Sequence, residues 1–285
     1  MVVVGIEKLH GVLFEMLEEV DRICSKNGIK YSLFAGSALG AVRHGGFIPW
    51  DDDLDIVMLR PDYEKFLRIA VKELSSAFFL QKEFSEHWPM FYSKLRKNGT
   101  AYMEKIFPKD SSQHQGIYID IFPCDNLSDS KFKRKIQFLA SKAVIASSLG
   151  KRGYLTDSIG KKVFICFSRI LPQKALRRIV VNKNEPKSEF VHTFFGASSR
   201  YDKSVFRREI MNETLLLPFC GEKFPVSSRY NELLSVLYGD YMTLPEEKDR
   251  KCKEHAMLVD FENSYEKYID WQKKQRITTY TRSIR

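Results

Sequence analysis

Long apolar runs are missing from this 285-residue sequence. A membrane-spanning helix needs about 20 consecutive apolar residues, and the longest candidate, Ile136 to Leu149, is interrupted by Lys142. No signal peptide is expected at the short apolar start, Met1 to Gly5, because no small-residue cleavage site follows it. The five cysteines form no C-x-x-C pair, and their odd number argues against a disulfide framework or a zinc ribbon. We therefore expect a cytoplasmic protein with reduced thiols.

Acidic residues are scarce in one part of the chain, the basic segment from Lys131 to Lys187. It contains 15 Lys and Arg but only two acids, a formal charge of +13, while the whole chain carries +10 and the remainder therefore −3. Such a concentration suits an anionic partner. We favour peripheral contact with an anionic membrane over a merely solvated helix face. No nucleic acid partner is expected, because the segment has too few aromatic residues for base stacking.

Hydrophobic periodicity predicts an α+β protein with a mixed sheet and flanking helices. We predict three regions: a mixed-sheet domain at 1–127, a basic and largely helical segment at 128–218, and a C-terminal region at 219–285. The predicted helices are 6–24, 38–43, 62–74 (capped by Asp62), 230–238 and those of 129–183, which break at 150–153 and Pro172. The predicted strands are 29–35, 54–58, 78–81, 91–96, 100–103, 117–122 (closed by Pro123) and a hairpin at 219–226.

The strongest chemical signal is a run of four acids, Asp51, Asp52, Asp53 and Asp55, whose carboxylates repel one another. A fold tolerates such a run in solvent or around a cation. On a strand, Asp53 and Asp55 would share one face while the residues beside them enter the core. Two oxygen ligands on a strand suit Mg²⁺. The alternative, for the run taken alone, is a solvated acidic turn.

Two further features accompany this run. Asp120 lies within the apolar strand predicted at 117–122, so its side chain must face something polar, such as a neighbouring metal-binding strand. Gly36-Ser37 lies at a predicted strand-to-helix turn and can present backbone N–H groups to a phosphate. Each feature has an ordinary explanation when taken alone. Their occurrence together, in this order, favours a catalytic site.

The string from Gly36 to Asp55, GSALGAVRHGGFIPWDDDLD, closely resembles the LicD family of the nucleotidyltransferase superfamily. That family includes bacterial phosphocholine transferases and, more distantly, fukutin-type ribitol-phosphate transferases. Further matching strings are RPDYEKF at 60–66, KLR at 94–96, GIYIDIFP at 116–123 and YGDYMTLP at 238–245. The resemblance covers about 9–125 and 219–255. One departure is Ser-Ala after Gly36, where Thr-Leu is commoner in the family.

The resemblance implies a nucleotidyltransferase-like mixed sheet with flanking helices, with 1–127 as the catalytic core and 219–285 as the region that completes the active site. It also implies that Asp53, Asp55 and Asp120 bind Mg²⁺ or Mn²⁺ and carry out catalysis. The residues expected to contact substrate are Gly36, Ser37, Arg43, His44, Trp50, Lys94, Arg96 and His255. The implied reaction transfers phosphocholine from CDP-choline to a hydroxyl of a cell-surface glycan or lipid-linked teichoic acid precursor and releases CMP. The expected location is the cytoplasm or the inner face of the membrane.

Other functions stay open at this stage. The transferred group could be ribitol phosphate, glycerol phosphate or phosphoethanolamine. The same carboxylates could serve a nucleotidyltransferase that acts on RNA or nucleotides, which would release pyrophosphate. A third alternative is a polymer-binding module without catalysis, which the intact Asp53-x-Asp55 pattern disfavours.

Overall fold

The computed structural model describes residues 5–104, 113–154, 156–195, 200–250 and 255–274. Cys252 and the apolar start, Met1 to Val4, lie outside these residues. No helix in the described part of the chain is long and apolar enough to cross a bilayer.

The described residues form helices and strands in mixed order. The helices are α1 (Ile6–Asn27), α2 (Ala35–His44), α3 (Arg60–Glu73), α4 (Lys131–Arg152), α5 (Ile159–Ile170), α6 (Gln173–Val181), α7 (Arg208–Asn212) and α8 (Tyr230–Tyr238). The strands are β1 (Ser32–Leu33), β2 (Asp55–Leu59), β3 (Phe78–Gln81), β4 (Ser93–Lys97), β5 (Ala101–Glu104), β6 (Tyr118–Asn126), β7 (Phe190–His192), β8 (Val205–Arg207), β9 (Thr214–Phe219), β10 (Glu222–Ser227) and β11 (Ala256–Asp260). Short 3₁₀ turns lie at Glu247–Asp249 and Tyr265–Tyr268.

A seven-stranded mixed sheet lies at the centre of the molecule. Its main path is β1-β2-β6-β4-β3, and β7 and β8 extend it from the later part of β6. β2 and β6 run parallel, while the other neighbours run antiparallel. Two smaller antiparallel pairs, β9–β10 and β5–β11, complete the strands. The predicted α+β class is confirmed.

The core explains why the two central strands form. Leu54 and Ile56 on one strand, and Ile119 and Ile121 on the other, are fully buried in the main hydrophobic cluster. Because side chains alternate between the faces of a strand, the acids between them point to the opposite face. Helix α1 covers the cluster with apolar residues at helical spacing. The predicted alternation is therefore confirmed.

The start of α2 differs from its prediction. The strand predicted at 29–35 is reduced to β1, and Gly36 and Ser37 lie in the first turn of α2 rather than in a turn before it. The reason is local: the Phe34 carbonyl accepts the amides of Ser37 and Ala38, at 3.0 and 3.2 Å, so the helix begins earlier.

Two other expectations about element ends are wrong. Pro123 does not close β6, which continues to Asn126. β4 and β7 pair with the same edge of β6. The pairing with β4 ends at Ile121 and the pairing with β7 starts at Asp125, so the missing N–H of Pro123 lies between these two partner strands. Asp62 does not cap α3, which begins at Arg60; its carboxylate instead accepts the backbone N–H of Lys30 at 3.2 Å.

The basic segment is helical for most of its length. α4 ends at Gly153, whose φ of +95° suits glycine, and Pro172 separates α5 from α6, as predicted. Gly150, by contrast, lies inside α4, where a Cβ atom would stand only 2.5 Å from Ile165 of α5. The chain then returns to the sheet through β7 and β8, and the predicted boundary between 218 and 219 falls within β9.

Candidate active site

A row of charged side chains crosses three neighbouring strands. Asp55 of β2 is paired in register with Asp120 of β6, which is paired in turn with Lys94 of β4. Residues paired in this way project their side chains from the same face of the sheet. The ammonium of Lys94 lies 3.0 Å from Asp120 Oδ1, and Asp53 stands just before β2. The sheet thus brings together the three acids predicted to be catalytic.

The surroundings of the carboxylates in this row disfavour their ionised form. Burial, followed by repulsion from Asp51, raises the pKa of Asp53 to about 7. Burial and the charge of Asp53 raise the pKa of Asp55 well above its usual range. Burial also raises the pKa of Asp120, although Lys94 opposes this shift. A cation placed among these oxygens would relieve the repulsion, and carboxylate oxygens are the ligands that Mg²⁺ prefers. The donor set therefore fits the predicted ion.

Asp52 belongs to a separate hydrogen-bond network. Its Oδ2 accepts the Tyr102 hydroxyl at 2.8 Å and the His255 backbone N–H at 2.9 Å, and its Oδ1 lies 2.7 Å from His255 Nδ1. Burial alone would raise the pKa of Asp52, but its bonds to His255 and Tyr102 lower it. The side-chain bond to Asp52 raises the pKa of His255. Pairing of β11 with β5 delivers His255 to this position.

The tightest group of possible ligand atoms differs from the predicted one. Within the described residues, Asp52, Asp53 and His255 bring one ligand atom each within 4.8 Å of one another. His255 Nδ1 lies 4.0 Å from Asp53 Oδ2. Asp53 is common to this group and to the predicted metal site. The sequence indicated Asp52 only as a neighbour of that site, and nothing in its pattern pointed to Tyr102.

The first turn of α2 is fitted against the acidic run. The Ser37 hydroxyl accepts the Asp55 backbone N–H at 2.8 Å. A Cβ atom on Gly36 would stand 2.5 Å from Asp51 Oδ2, so a larger residue here would displace the Asp51 carboxylate. Ala35 has a φ of +47°, a strained conformation of the kind found at functional sites. The positive end of this helix therefore adjoins the carboxylates.

Arg43, His44 and Trp50 form one cluster at the other end of α2. Arg43 donates to the Tyr241 carbonyl at 2.8 Å and to His44 Nε2 at 3.0 Å. The His44 ring meets Trp50 edge-on, with centroids 6.0 Å apart. Burial and the charge of Arg43 lower the pKa of His44, consistent with a neutral ring that accepts a hydrogen bond. These three predicted substrate-binding residues are thus brought together.

Lys94 and Arg96 are deeply buried in a cationic cluster around Glu104. Lys94, Arg96 and Arg152 lie 3.8, 3.5 and 2.5 Å from the Glu104 carboxylate. Arg96 also donates to Gln81 and to the Gly116 carbonyl, so contact with a donor phosphate would require displacing one of its present bonds. Sequence reasoning missed Glu104 and Arg152, because the two lie 48 residues apart and share no motif.

Tyr238 is a further residue that sequence reasoning did not assign to the site. Burial raises the pKa of its hydroxyl, and the charges of Asp55, Asp51 and Asp53 raise it further, so the hydroxyl is within electrostatic range of the acidic run. The residue is nevertheless 44% exposed. The available signal was its place at the start of the string YGDYMTLP.

Comparison with known proteins agrees with this arrangement. The sequence model of the family LicD/FKTN/FKRP, nucleotidyltransferase domain, matches residues 28–148. This range contains all three predicted catalytic acids and the first part of the basic segment.

Three relatives extend the comparison. The lipopolysaccharide cholinephosphotransferase LicD of Haemophilus influenzae is 28% identical over 256 residues, covering 84% of this chain and 92% of that protein. An uncharacterised protein of Rickettsia typhi is 44% identical over 22% of this chain and 20% of its own length. Another from Rickettsia prowazekii is 46% identical over 25% of this chain and 34% of its own. The domain match at 28–148 thus lies on the part of the chain that carries the mixed sheet and the acidic row, and there the chain is similar to the LicD family.

Proposed function

We propose that this protein transfers phosphocholine from CDP-choline to a hydroxyl of a cell-surface glycan and releases CMP. The observation that carries the proposal is the row of Asp53, Asp55 and Asp120, whose mutual repulsion prepares it for a cation and a phosphorylated donor. The similarity to a lipopolysaccharide cholinephosphotransferase over 84% of the chain supports phosphocholine as the transferred group.

In this proposal Asp53, Asp55 and Asp120 hold Mg²⁺ or Mn²⁺. When bound, the ion supplies positive charge that neutralises the donor diphosphate. We prefer this set to the group of Asp52, Asp53 and His255 because both oxygens of Asp52 are already engaged by Tyr102 and His255. Mg²⁺ also prefers oxygen to imidazole nitrogen.

The residues of the chain position the reactants and accept the proton of the acceptor hydroxyl. The acceptor oxygen forms a bond to the phosphorus that bears choline, and the bond from that phosphorus to the CMP oxygen breaks. The acceptor hydroxyl proton passes to a carboxylate, for which Asp120 is suited because burial raises its pKa towards neutrality. Lys94, 3.0 Å from Asp120, compensates part of the negative charge there. The Gly36–Ser37 turn offers the positive end of α2 to a donor phosphate.

Two aromatic residues are placed to bind the quaternary ammonium of choline. Trp50 adjoins the acidic run in the sequence and contacts His44, and Tyr238 is 44% exposed with its hydroxyl within electrostatic range of the acidic run. Cations bind the faces of Trp and Tyr rings, each contributing about 0.5–2 kcal/mol. We therefore assign choline recognition to this pair.

The acceptor is proposed to be a precursor of lipopolysaccharide or a lipid-linked teichoic acid. We propose that the protein acts on such precursors in the cytoplasm, at the inner face of the membrane.

A donor panel tests the function. Purified protein with Mg²⁺ and a glycan acceptor is incubated with CDP-choline, CDP-ribitol, CDP-glycerol or CDP-ethanolamine, and CMP release is measured. CDP-choline should give the highest kcat/KM, and EDTA should abolish turnover until Mg²⁺ or Mn²⁺ is restored. Asp55→Asn is the control for contaminating hydrolases.

Three outcomes would contradict the proposal. Preference for CDP-ribitol would transfer the assignment to the fukutin-like branch of the family. Pyrophosphate release from a nucleoside triphosphate would indicate a nucleotidyltransferase acting on RNA or nucleotides. Full activity in exhaustively chelated protein would exclude the role of the metal.

A further inference from the structure

Helix α5 exposes an apolar face that no described element covers. Of its 12 residues only Ser168 is fully buried and Ile165 partly buried, while the rest are exposed. Ile159, Val163, Phe167 and Ile170 are 78, 62, 55 and 78% exposed. Side chains of this kind are normally inside a globular protein, so a contiguous set on one helix marks an interaction surface.

Helical geometry places these side chains in one stripe. With 3.6 residues per turn, Ile159, Val163, Phe167 and Ile170 fall within an arc of about 80°, and Cys166 adjoins them. Ile165 and Ser168 lie on the opposite side, where Ile165 packs at Gly150 of α4. We call Ile159, Val163, Cys166, Phe167 and Ile170 the α5 stripe.

Basic residues border the stripe. Lys162 and Arg169 lie along one edge of it, and both are exposed. No acid occurs within α5, and the surrounding basic segment carries +13. An apolar stripe with Lys and Arg at its border is the pattern of a helix that lies in the plane of a membrane, with its apolar side chains among the upper acyl chains.

We infer that the α5 stripe is a docking surface for an anionic lipid bilayer, into which α5 inserts parallel to the membrane plane. This goes beyond electrostatic attraction, because the exposed stripe supplies apolar area that a purely ionic contact would leave unused. It also makes a second copy of this chain the poorer occupant. Two stripes meeting face to face would bring two strongly basic segments together, whereas anionic headgroups complement them.

The position of α5 connects this surface to the active site. α5 packs on α4, whose last residue is Arg152, and Arg152 contacts Glu104 in the buried cationic cluster beside Lys94 and Asp120. A docked α5 would thus hold the catalytic sheet close to the bilayer. The docking itself is independent of which donor or acceptor the site uses.

The first test measures binding of the full-length protein to vesicles. Wild-type protein should co-sediment with phosphatidylglycerol vesicles in 0.1 M salt and much less with phosphatidylcholine vesicles. The double variant Val163→Ser, Phe167→Ser should lower the partition coefficient at least tenfold. The matched control is Val71→Ser, Phe79→Ser, the same replacements at side chains 58 and 45% exposed outside the basic segment, which should bind as wild type.

A second measurement separates insertion from surface attraction. An environment-sensitive dye is attached to Cys166 in a Cys220→Ser, Cys252→Ser background, since Cys24 and Cys124 are buried. Phosphatidylglycerol vesicles should shift its emission to shorter wavelength, and brominated acyl chains should quench it. A dye on Cys220, with Cys166 and Cys252 replaced by serine, should respond to neither.

Defined results would overturn the inference. Absence of binding to phosphatidylglycerol at low salt, or equal binding by the stripe variant and wild type, would exclude a lipid-docking stripe. A Cys166 signal that follows protein concentration without vesicles would indicate self-association instead. CMP release with a soluble acceptor should be unchanged in the Val163→Ser, Phe167→Ser variant, so failure of the docking inference and failure of the proposed reaction remain distinguishable.

Discussion

The two ends of strand β6 hold buried acids in contrasting surroundings. At the far end, Asp125 accepts a bidentate pair of bonds from Arg60, at 2.6 and 2.9 Å, and Arg60 also donates to Glu83 at 2.7 Å. Five residues earlier, Asp120 is 3.0 Å from Lys94, whose ammonium also lies 3.8 Å from Glu104. Asp53 and Asp55 then add two more carboxylates to that end of the sheet.

The contrast distinguishes a structural ion pair from a site prepared for a ligand. Burial alone would lower the pKa of Arg60, but Asp125 and Glu83 raise it well above its usual range, so the charges stabilise one another. At the Asp120 end, burial raises the pKa of each acid, and repulsion from neighbouring acids adds to the shift of Asp53 and Asp55. Buried acids whose surroundings disfavour ionisation lower the stability of the fold, and such groups are characteristic of functional sites.

The largest expected effect is the loss of turnover when the acidic row is broken. Asp53→Asn or Asp55→Asn should lower kcat by at least about 10³-fold, because positioning and charge neutralisation dominate phosphoryl transfer. The fold should survive, and the metal-free melting temperature should rise, since one source of repulsion is removed. Steady-state CMP release and thermal melting check both parts. Near wild-type turnover in either variant would exclude the assignment.

The structural ion pair should respond in the opposite way. Asp125→Asn removes the bidentate partner of buried Arg60 and should lower the free energy of unfolding by about 3–5 kcal/mol. Folded protein should keep its kcat, because this end of β6 does not carry the reaction. Chemical denaturation measures the loss. Asp202→Asn, which breaks the exposed pair with Arg200, is the control and should change stability far less.

The contribution of Asp53 to the stability of the metal-free protein should fall as pH rises. The pKa of Asp53 is about 7 in the folded state and about 3.9 in an unfolded chain. Between these values the folded state holds more protons at Asp53, so this contribution is most favourable below about pH 4 and declines up to about pH 7. Relative to Asp53→Asn, the decline should be about 2–4 kcal/mol between pH 4.5 and 8.

Saturating Mg²⁺ should flatten or reverse this trend, because the ion competes with protons for the same oxygens. Denaturant titrations at both pH values, with and without Mg²⁺, make the measurement. A wild-type protein whose stability difference from Asp53→Asn does not change with pH would show that this carboxylate is not repelled by its neighbours.

The smallest expected effect concerns choice of donor. Trp50→Leu and Tyr238→Leu should each raise KM for CDP-choline by about 2- to 30-fold, the equivalent of 0.5–2 kcal/mol for one cation–π contact. The KM for CDP-glycerol, which lacks the quaternary ammonium, should change little. Parallel kinetics with the two donors make the comparison. Equal losses for both would assign these rings to general packing.

Much of the structure of region 1–127 could be predicted from the sequence, because the patterns that indicate its strands and helices are local. The apolar residues on either side of Asp55 and Asp120 predicted two buried strands with acids on the other face, and the structure confirms that alternation. Glycine and proline marked the ends of α1, α4 and α6 through their own backbone preferences. The family resemblance, carried by the string from Gly36 to Asp55, is supported by the domain match.

Long-range partners were decided by the tertiary structure alone. Pairing of β5 with β11 places His255 on Asp52 across 203 residues, and α4 delivers Arg152 to Glu104 across 48. Neither contact has a local pattern, because each depends on where a distant element packs. Pro123 also shows what local sequence cannot predict. Proline ends a strand where its missing N–H would leave a carbonyl of the neighbouring strand without a donor. Pro123 instead lies between the stretches of β6 that pair with β4 and β7, so β6 continues through it.

The basic segment shows most clearly what the sequence determines and what the tertiary structure decides. Its charge of +13 is a property of the sequence, and it suffices to predict an anionic partner. Which apolar side chains of that segment enter the core and which remain outside could not be read from composition, because α4, α5 and α6 are all amphipathic. The packing of α5 on α4, where Ile165 meets Gly150, turns the α5 stripe outward, because the face of α5 opposite the stripe is the one that becomes buried.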